Sequence, residues 1–186
     1  MTSPRTTAPS PSKSRTVALV GRANSGKTSL LMHLTGSLQR PVNFPGSSVE
    51  CVESSVQVAG LELRVVDLPG IAALEAVSRD EQLALDVLHG TAGPRPDLLC
   101  VVCDASRLPV ELPFLQQVRG LGLPIVVALT KLDVATAEGF PVAVDRLQQA
   151  LGLPLAVVDG LRGKGAGELR ALLAATPLAA PIAPPA

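Results

Sequence analysis

Apolar residues recur along this chain with two periods. Thr16-Val-Ala-Leu-Val20, residues 97–103, Pro124-Ile-Val-Val-Ala-Leu129 and Leu155-Ala-Val-Val158 are nearly unbroken runs rich in Val and Leu. Such runs suit strands buried on both faces. Residues 29–35, 110–120, 143–151 and 165–175 carry helical spacing instead, and Gly36 ends the first of these stretches. Residues 71–90 read as mostly helical, with Ser78-Arg-Asp-Glu81 as a capping-box start and Leu83, Val87 and Leu88 along one stripe. In the middle of the chain the pattern alternates. Val52, Val56 and Val58 share a face opposite Glu53, Ser55 and Gln57, and Leu61, Leu63 and Val65 alternate with Glu62, Arg64 and Val66. Ala59-Gly60 between them predicts an antiparallel hairpin. Residues 37–48 are rich in turn formers and show no period, which predicts a long loop. Strands alternating with helices imply an α/β fold around a parallel sheet covered on both faces.

The first strand leads directly into Gly21-Arg-Ala-Asn-Ser-Gly-Lys-Thr28, which fits G-x-x-x-x-G-K-[ST] and is followed by a helical pattern. Gly21 and Gly26 let the backbone curl closely around a pyrophosphate, with successive N–H groups turned inward. The amino-terminal end of the helix adds partial positive charge. Lys27 would reach the β- and γ-phosphates, and the Thr28 hydroxyl would ligate Mg²⁺. A glycine-rich turn that binds nothing has no need of strand, loop, Lys-Thr and helix in this order. The hairpin then runs into Val65-Val-Asp-Leu-Pro-Gly70. In this D-x-x-G, Asp67 would hold Mg²⁺ through water and the Gly70 N–H would sense the γ-phosphate. The loop at 37–48 lies where a nucleotide-sensing switch is expected. Thr130-Lys-Leu-Asp133 selects the base: a carboxylate there accepts both N1–H and N2–H₂ of guanine, a pair that adenine does not offer. The stem of Lys131 can lie along the face of the base.

Composition narrows the remaining classes. With 186 residues, one domain is the default. Apolar residues make up 47% but aromatics only 2%, so the core must be built from Val, Leu, Ala and Ile. Zero formal net charge gives no broad basic field for nucleic acid. No apolar run approaches the ~20 residues of a membrane helix, and no secretory h-region precedes the first strand; the expected location is cytoplasmic. Three cysteines are too few for a disulfide scaffold. Cys100 and Cys103, three apart on a strand, point to opposite faces and read as core residues rather than a metal or redox pair. His33 and His89 lie on helical stretches and read as packing or solvent-facing. Residues 1–15, rich in Ser, Thr and Pro, read as a disordered lead, residues 16–175 as the domain, and residues 176–186, with four prolines, as a flexible tail.

The four elements reproduce the GTPase signature set. GRANSGKTSL, VNFPGSSVE, DLPG, SRDEQLALDVL, a run into DAS, LPIVVALTKLD and RGKGAGEL together resemble the GTP-binding domain of FeoB-type ferrous-iron transporters, over roughly residues 16–175. The N-x-P-G segment and the D-E-Q after DLPG are the most specific marks. The resemblance implies a Ras-like α/β fold with a six-stranded, mostly parallel sheet, one antiparallel strand, and helices on both faces. It implies slow hydrolysis of GTP to GDP at the cytoplasmic face of a membrane iron-transport protein or domain, with Mg²⁺ and K⁺ as ions. Nucleotide contacts would come from Gly21, Arg22, Ala23, Asn24, Ser25, Gly26, Lys27, Thr28 and Ser29, from Asp67 and Gly70, from Thr130, Lys131 and Asp133, and from a last loop at Gly160, Leu161 and Arg162. Mg²⁺ would be held by Thr28, Ser48 and Asp67, and K⁺ by Asn24. Asn24, Lys27 and Gly70 would act in hydrolysis.

Several positions depart from the family pattern. Ser48 replaces Thr and keeps the hydroxyl, and Phe44 replaces Trp. Arg22 and Ala23 replace Asn and Pro, with Arg22 a rival occupant of the cation's place. Thr130 replaces Asn and is expected to lose a tether in the base loop. Gly160-Leu161 replaces a Ser-Ala type pair and is expected to give the base little cover. Ile71 stands where many small GTPases place a water-orienting Gln, so intrinsic hydrolysis is expected to be slow. The family continues into a helical regulatory domain and membrane helices, so the stretch reads as a lone G domain or a piece of a longer protein. A ribosome-assembly or RNA-modifying GTPase would be expected to carry an RNA-binding domain or basic patch. A non-hydrolysing, GTP-dependent interaction module would share all four elements. A nucleoside kinase would lack T-K-x-D.

Overall fold

The computed structural model describes residues 13–36, 40–45 and 49–178. In chain order the elements are β1 (Ser14–Val20), α1 (Lys27–Thr35), β2 (Arg40–Asn43), β3 (Glu50–Val58), β4 (Leu61–Asp67), α2 (Arg79–His89), β5 (Leu98–Asp104), α3 (Leu108–Arg119), β6 (Ile125–Thr130), α4 (Leu132–Ala137), α5 (Val144–Leu151), β7 (Leu155–Val157) and α6 (Ala166–Ala175). They form one sheet in the order β2-β3-β4-β1-β5-β6-β7. Only β3 is reversed: it pairs antiparallel with β2 and β4, while the other pairings are parallel.

The mostly parallel sheet with one reversed strand and helices on both faces is therefore present, with seven strands where six were expected. The addition is β2, inside the stretch expected to be a loop. Its four residues pair with Glu50 to Glu53 at the sheet edge, and its proline, Pro41, stands opposite Val52. An edge strand tolerates a residue without an N–H, whereas a central strand does not. The hairpin of β3 and β4 turns through Ala59 and Gly60 at φ 49° and 82°, the left-handed geometry that a two-residue turn requires.

Alternation along the central strands builds two cores. Leu98, Cys100 and Val102 of β5 pack with Leu30, Leu31 and Leu34 of α1 and Leu169 and Leu173 of α6. Leu99, Val101 and Cys103 face the other way, toward Leu83, Val87 and Leu88 of α2 and Phe114, Leu115 and Val118 of α3. Each such Val, Leu or Phe side chain removed from water contributes about 1.5–3 kcal/mol. Cys100 and Cys103 are free and lie in opposite cores, as a strand requires, and burial pushes the Cys100 thiol up to about 12.

Two helical expectations are corrected. Residues 71–78 are not helical; α2 starts at Arg79, where Ser78 accepts the Glu81 N–H at 3.2 Å. The Glu81 carboxylate reaches the Val77 N–H at 2.9 Å, which ends the extended approach and starts the helix. Leu132, expected in a loop, opens the short helix α4.

The strand β1 starts before Thr16, and this gives Arg15 a structural role. Its guanidinium donates to the carbonyls of Leu173, Ala174 and Thr176, the last two at 3.1 and 2.9 Å, where α6 runs out of internal partners. The expected disordered lead and tail fall, for residues 1–12 and 179–186, outside the described residues. Among the described residues no helix is long and apolar enough to cross a membrane. Arg15→Ala is expected to lower unfolding free energy by about 1.5–3 kcal/mol, the range for hydrogen bonds to a charged group. Urea denaturation checks this, and an unchanged midpoint would show that the guanidinium adds nothing.

Candidate functional site

The motif residues converge at the carboxyl ends of β1, β4, β5 and β6, the place where open α/β sheets bind ligands. The loop from Gly21 to Gly26 is pressed onto its neighbours. A Cβ on Gly21 would stand 2.6 Å from the Val102 carbonyl oxygen and 2.9 Å from Ser25 Oγ, so no side chain fits. Gly26, at φ 99°, turns the chain into α1. Asn24 takes φ 64°, uncommon outside glycine but accessible to Asn. The Lys27 ammonium is buried and folded back on its own loop, donating to Gly21 O at 3.1 Å and Arg22 O at 3.0 Å. Burial lowers its pKa, opposed by the carboxylates of Asp67 and Glu111.

One cavity, ≈ 300 Å³, opens beside this loop and is lined by Ala23, Asn24, Lys27, Thr28, Glu50, Val52 and the Asp67–Gly70 turn. Thr28 Oγ1 donates to Asp67 Oδ2 at 2.7 Å, so the two expected Mg²⁺ ligands already meet. Asp67 Oδ1 is buried with no partner among the described residues. Burial raises the Asp67 pKa, opposed by the Thr28 hydrogen bond and the Lys27 charge. A hydroxyl and an orphaned carboxylate oxygen make a hard-oxygen donor set that suits Mg²⁺. Ser48, the third expected ligand, lies outside the described residues. Gly70 is pressed against the loop, since a Cβ there would stand 2.8 Å from Ala23 N. The Ile71 N–H reaches Gly21 O at 3.2 Å, and its side chain is buried, not turned toward the cavity.

A second cavity, ≈ 240 Å³, lies on the other flank of the same loop. It is lined by Ser25, Gly26 and Ser29, by Thr130, Lys131, Asp133 and Val134, and by Asp159, Gly160 and Leu161. Thr130, expected to have lost a tether, supplies one: its buried hydroxyl donates to Ser25 O at 2.8 Å and Cys103 O at 3.2 Å. Lys131, at φ 56°, sends its ammonium to Asn24 O and to Asp104 Oδ2, both at 2.7 Å. That anchor leaves the Lys131 stem along the cavity wall. Leu161 is 85% exposed. Arg162 does not line the cavity but turns back on Asp159 at 3.1 Å. Arg22 likewise leaves the first cavity, and donates to Ala72 O at 2.8 Å.

Sequence reasoning missed Asp104, Glu111 and Asp159. Asp104 is buried at the end of β5, and although burial opposes its charge, hydrogen bonds from Lys131 and Ser106 hold its carboxyl below the usual range. An acidic residue ending an otherwise apolar strand was the available signal. Glu111 is buried in the first turn of α3 with no partner for Oε2 among the described residues, and burial raises its pKa. Its place three, four and seven positions before Phe114, Leu115 and Val118, on the face that α3 buries, was the available signal.

Fold and site together define a Ras-like G domain of the P-loop GTPase class. The chain belongs to the FeoB_N family, Ferrous iron transport protein B, whose family model it matches over residues 15–173. The Fe(2+) transporter FeoB of Leptospira biflexa is 36% identical over 161 residues, which cover 87% of this chain and 23% of that protein. The chain thus spans less than a quarter of the length of such curated relatives. Among solved structures, the G domain of the T. maritima FeoB iron transporter aligns with a TM-score of 0.77 at 31% identity, covering 87% of this chain and 97% of that one. An S. thermophilus NFeoB mutant bound to GDP aligns with a TM-score of 0.77 at 34% identity, covering 90% and 66% respectively.

Thr130→Val is expected to cost about 1–3 kcal/mol of stability, because it removes the hydroxyl that ties Ser25 O to the end of β6. Thr130→Ser should recover most of it. Thermal unfolding of the two variants checks this, and equal loss in both would remove the role given to the hydroxyl.

Proposed function

We propose that this chain binds guanine nucleotides, hydrolyses GTP to GDP slowly, and serves as the nucleotide-responsive domain of a ferrous-iron transport system at the cytoplasmic side of a membrane. The observation that carries this reading is that one loop walls two cavities. Ala23, Asn24, Lys27 and Thr28 line the cavity with Asp67 and Gly70, while Ser25, Gly26 and Ser29 line the one with Asp133. A triphosphate in the first and a base in the second would meet in one molecule. Family membership supports the transport role, and the GDP carried by the S. thermophilus neighbour supports the nucleotide.

In this reading the loop N–H groups and Lys27 bind the phosphates, the ammonium exchanging its contacts with Gly21 O and Arg22 O for phosphate oxygens. Thr28, Asp67 and Ser48 would hold Mg²⁺, which would offset phosphate charge. The Gly70 N–H senses the γ-phosphate. Asp133 accepts from N1–H and N2–H₂ of guanine, while the anchored Lys131 presents its stem to the ring. Asn24 lines the phosphate cavity and is exposed, and its amide oxygen is the hard ligand that suits K⁺ there. Arg22, held by Ala72 O, leaves that place open. The buried side chain of Ile71 orients no water, which accounts for slow intrinsic hydrolysis.

Asp133→Asn is expected to weaken GTP binding at least tenfold, roughly 1.4 kcal/mol, and to improve relative affinity for xanthosine nucleotides. Calorimetric titration with both nucleotides checks this, and unchanged GTP affinity would remove the base assignment. For the cation, hydrolysis in KCl is expected to exceed that in NaCl several-fold at equal ionic strength, an advantage that Asn24→Ala loses. Equal rates in both salts would sink the role given to Asn24.

A further inference from the structure

The wall of the base cavity opposite Asp133 is closed on itself. Asp159 Oδ1 accepts the Leu161 N–H at 2.8 Å and the Arg162 N–H at 3.0 Å, and Oδ2 accepts from Arg162 Nη1 at 3.1 Å. Asp159 N donates to Lys164 O at 2.9 Å, and Gly163 N donates to Asp159 O at 2.8 Å, so the turn is fastened at both ends. Asp159 and Leu161 line the same ≈ 240 Å³ cavity as Asp133.

Guanine is asymmetric in hydrogen bonding. N1–H and N2–H₂ are donors on one edge, and O6, next to N1, is an acceptor. With the donor edge on Asp133, O6 faces the wall formed by residues 159–161. An acceptor there needs an N–H, and the Asp159 carboxylate already holds those of Leu161 and Arg162. We propose that Asp159 is an affinity- and specificity-determining residue of the base site: its carboxylate competes with O6 of guanine for the Leu161 N–H, and so keeps guanine nucleotides weakly bound. This inference rests on the guanine site proposed above.

Two physical points favour it. The hydrogen bonds to Asp159 are charge-assisted, so O6, a neutral acceptor, displaces them at a cost. The N–H groups of Arg162 and Leu161 hold the Asp159 carboxyl below the usual carboxylate range, so it is ionised at neutral pH and repels an incoming acceptor. With Asp159 truncated, the Leu161 N–H is released to the base and the repulsion disappears. The Gly163 and Lys164 backbone bonds remain to hold the turn.

The test uses the full chain and two probes, GDP and 6-thio-GDP, which keeps N1–H and N2–H₂ but replaces O6 with a weak acceptor. Asp159→Ala is expected to tighten GDP binding about tenfold, mainly through slower release. Asp159→Asn, which keeps the turn's acceptor without its charge, should fall between it and wild type. The ratio of 6-thio-GDP to GDP dissociation constants should be near one in wild type and about fivefold or more in Asp159→Ala, because only the variant makes the O6 contact. A merely structural role for Asp159 would shift both probes together. GDP affinity unchanged or weakened in both variants, or an unchanged probe ratio, would overturn the proposal. Asp133→Ala serves as the separate check: if it leaves GDP affinity intact, the guanine site fails and this inference fails with it. If it abolishes binding while the Asp159 variants change nothing, only the role of Asp159 is lost.

Discussion

The arrangement depends on how the carbonyls of the Gly21–Gly26 loop are held. Gly21 O accepts from the Ile71 N–H and the Lys27 ammonium, and Arg22 O from Lys27 and the Ser25 N–H. Asn24 O accepts from Lys131, and Ser25 O from Thr130. The peptide unit is planar and trans, so pinning a carbonyl points the next residue's N–H the opposite way. Gly21 O, Asn24 O and Ser25 O, each drawn to a donor outside the loop, thus turn the amides that follow them toward the loop's interior, where an anion is favoured. The cradle is not a property of its glycines alone. Gly21 and Gly70 permit the close approach, and the donors on β6 and in the turn after β4 impose it.

Behind the loop lies a second constraint, a set of buried charges that must balance. Lys27, Asp67, Asp104 and Glu111 are mostly withdrawn from water; burial lowers the Lys27 pKa and raises those of Asp67 and Glu111, whereas hydrogen bonds from Lys131 and Ser106 hold Asp104 below the usual range. Asp104 is the best satisfied, with Lys131, Ser106 Oγ and the Ser106 N–H as donors. Asp67 and Glu111 each keep one oxygen without a partner among the described residues. Such orphaned atoms are costly. At Asp67 the cost falls where the proposed function needs an open ligand position, which is why the donor set fits a divalent cation better than a closed ion pair would.

Local signals made much of this legible in the chain. The P-loop, D-x-x-G and T-K-x-D were readable because each is a short motif on one strand end, and the hairpin because Ala59-Gly60 sits between alternating runs. The cysteine faces followed from strand geometry alone. The misses share a different cause. β2 is four residues long, contains Pro41 and owes its existence to pairing with β3, so no periodicity within it could show it. The short helix α4 starts inside a motif that chemistry had labelled a loop. Thr130 was judged by the side chain it replaces, whereas its hydroxyl finds Ser25 O across 105 positions of sequence. Arg15 acts through carbonyls 158 to 161 positions away and Asp104 through Lys131, 27 positions away, and such pairings are set by the sheet order rather than by neighbours.

That same remoteness links the two cavities mechanically. Asn24, which lines the first cavity, is fastened through its carbonyl to Lys131 in the wall of the second, and the adjacent Ser25 O is fastened to Thr130 in that same wall. Lys131 is fastened in turn to Asp104 at the end of β5, which fixes the lateral position of both walls against the sheet. A shift of the loop toward a ligand in the first cavity therefore strains or drags the Thr130–Asp133 wall of the second. β5 and β6 beneath are buried along their whole length and close-packed, so they do not absorb the movement. Coupling between phosphate and base recognition then requires no mobile domain. It follows from three short hydrogen bonds between elements that the core does not allow to slide.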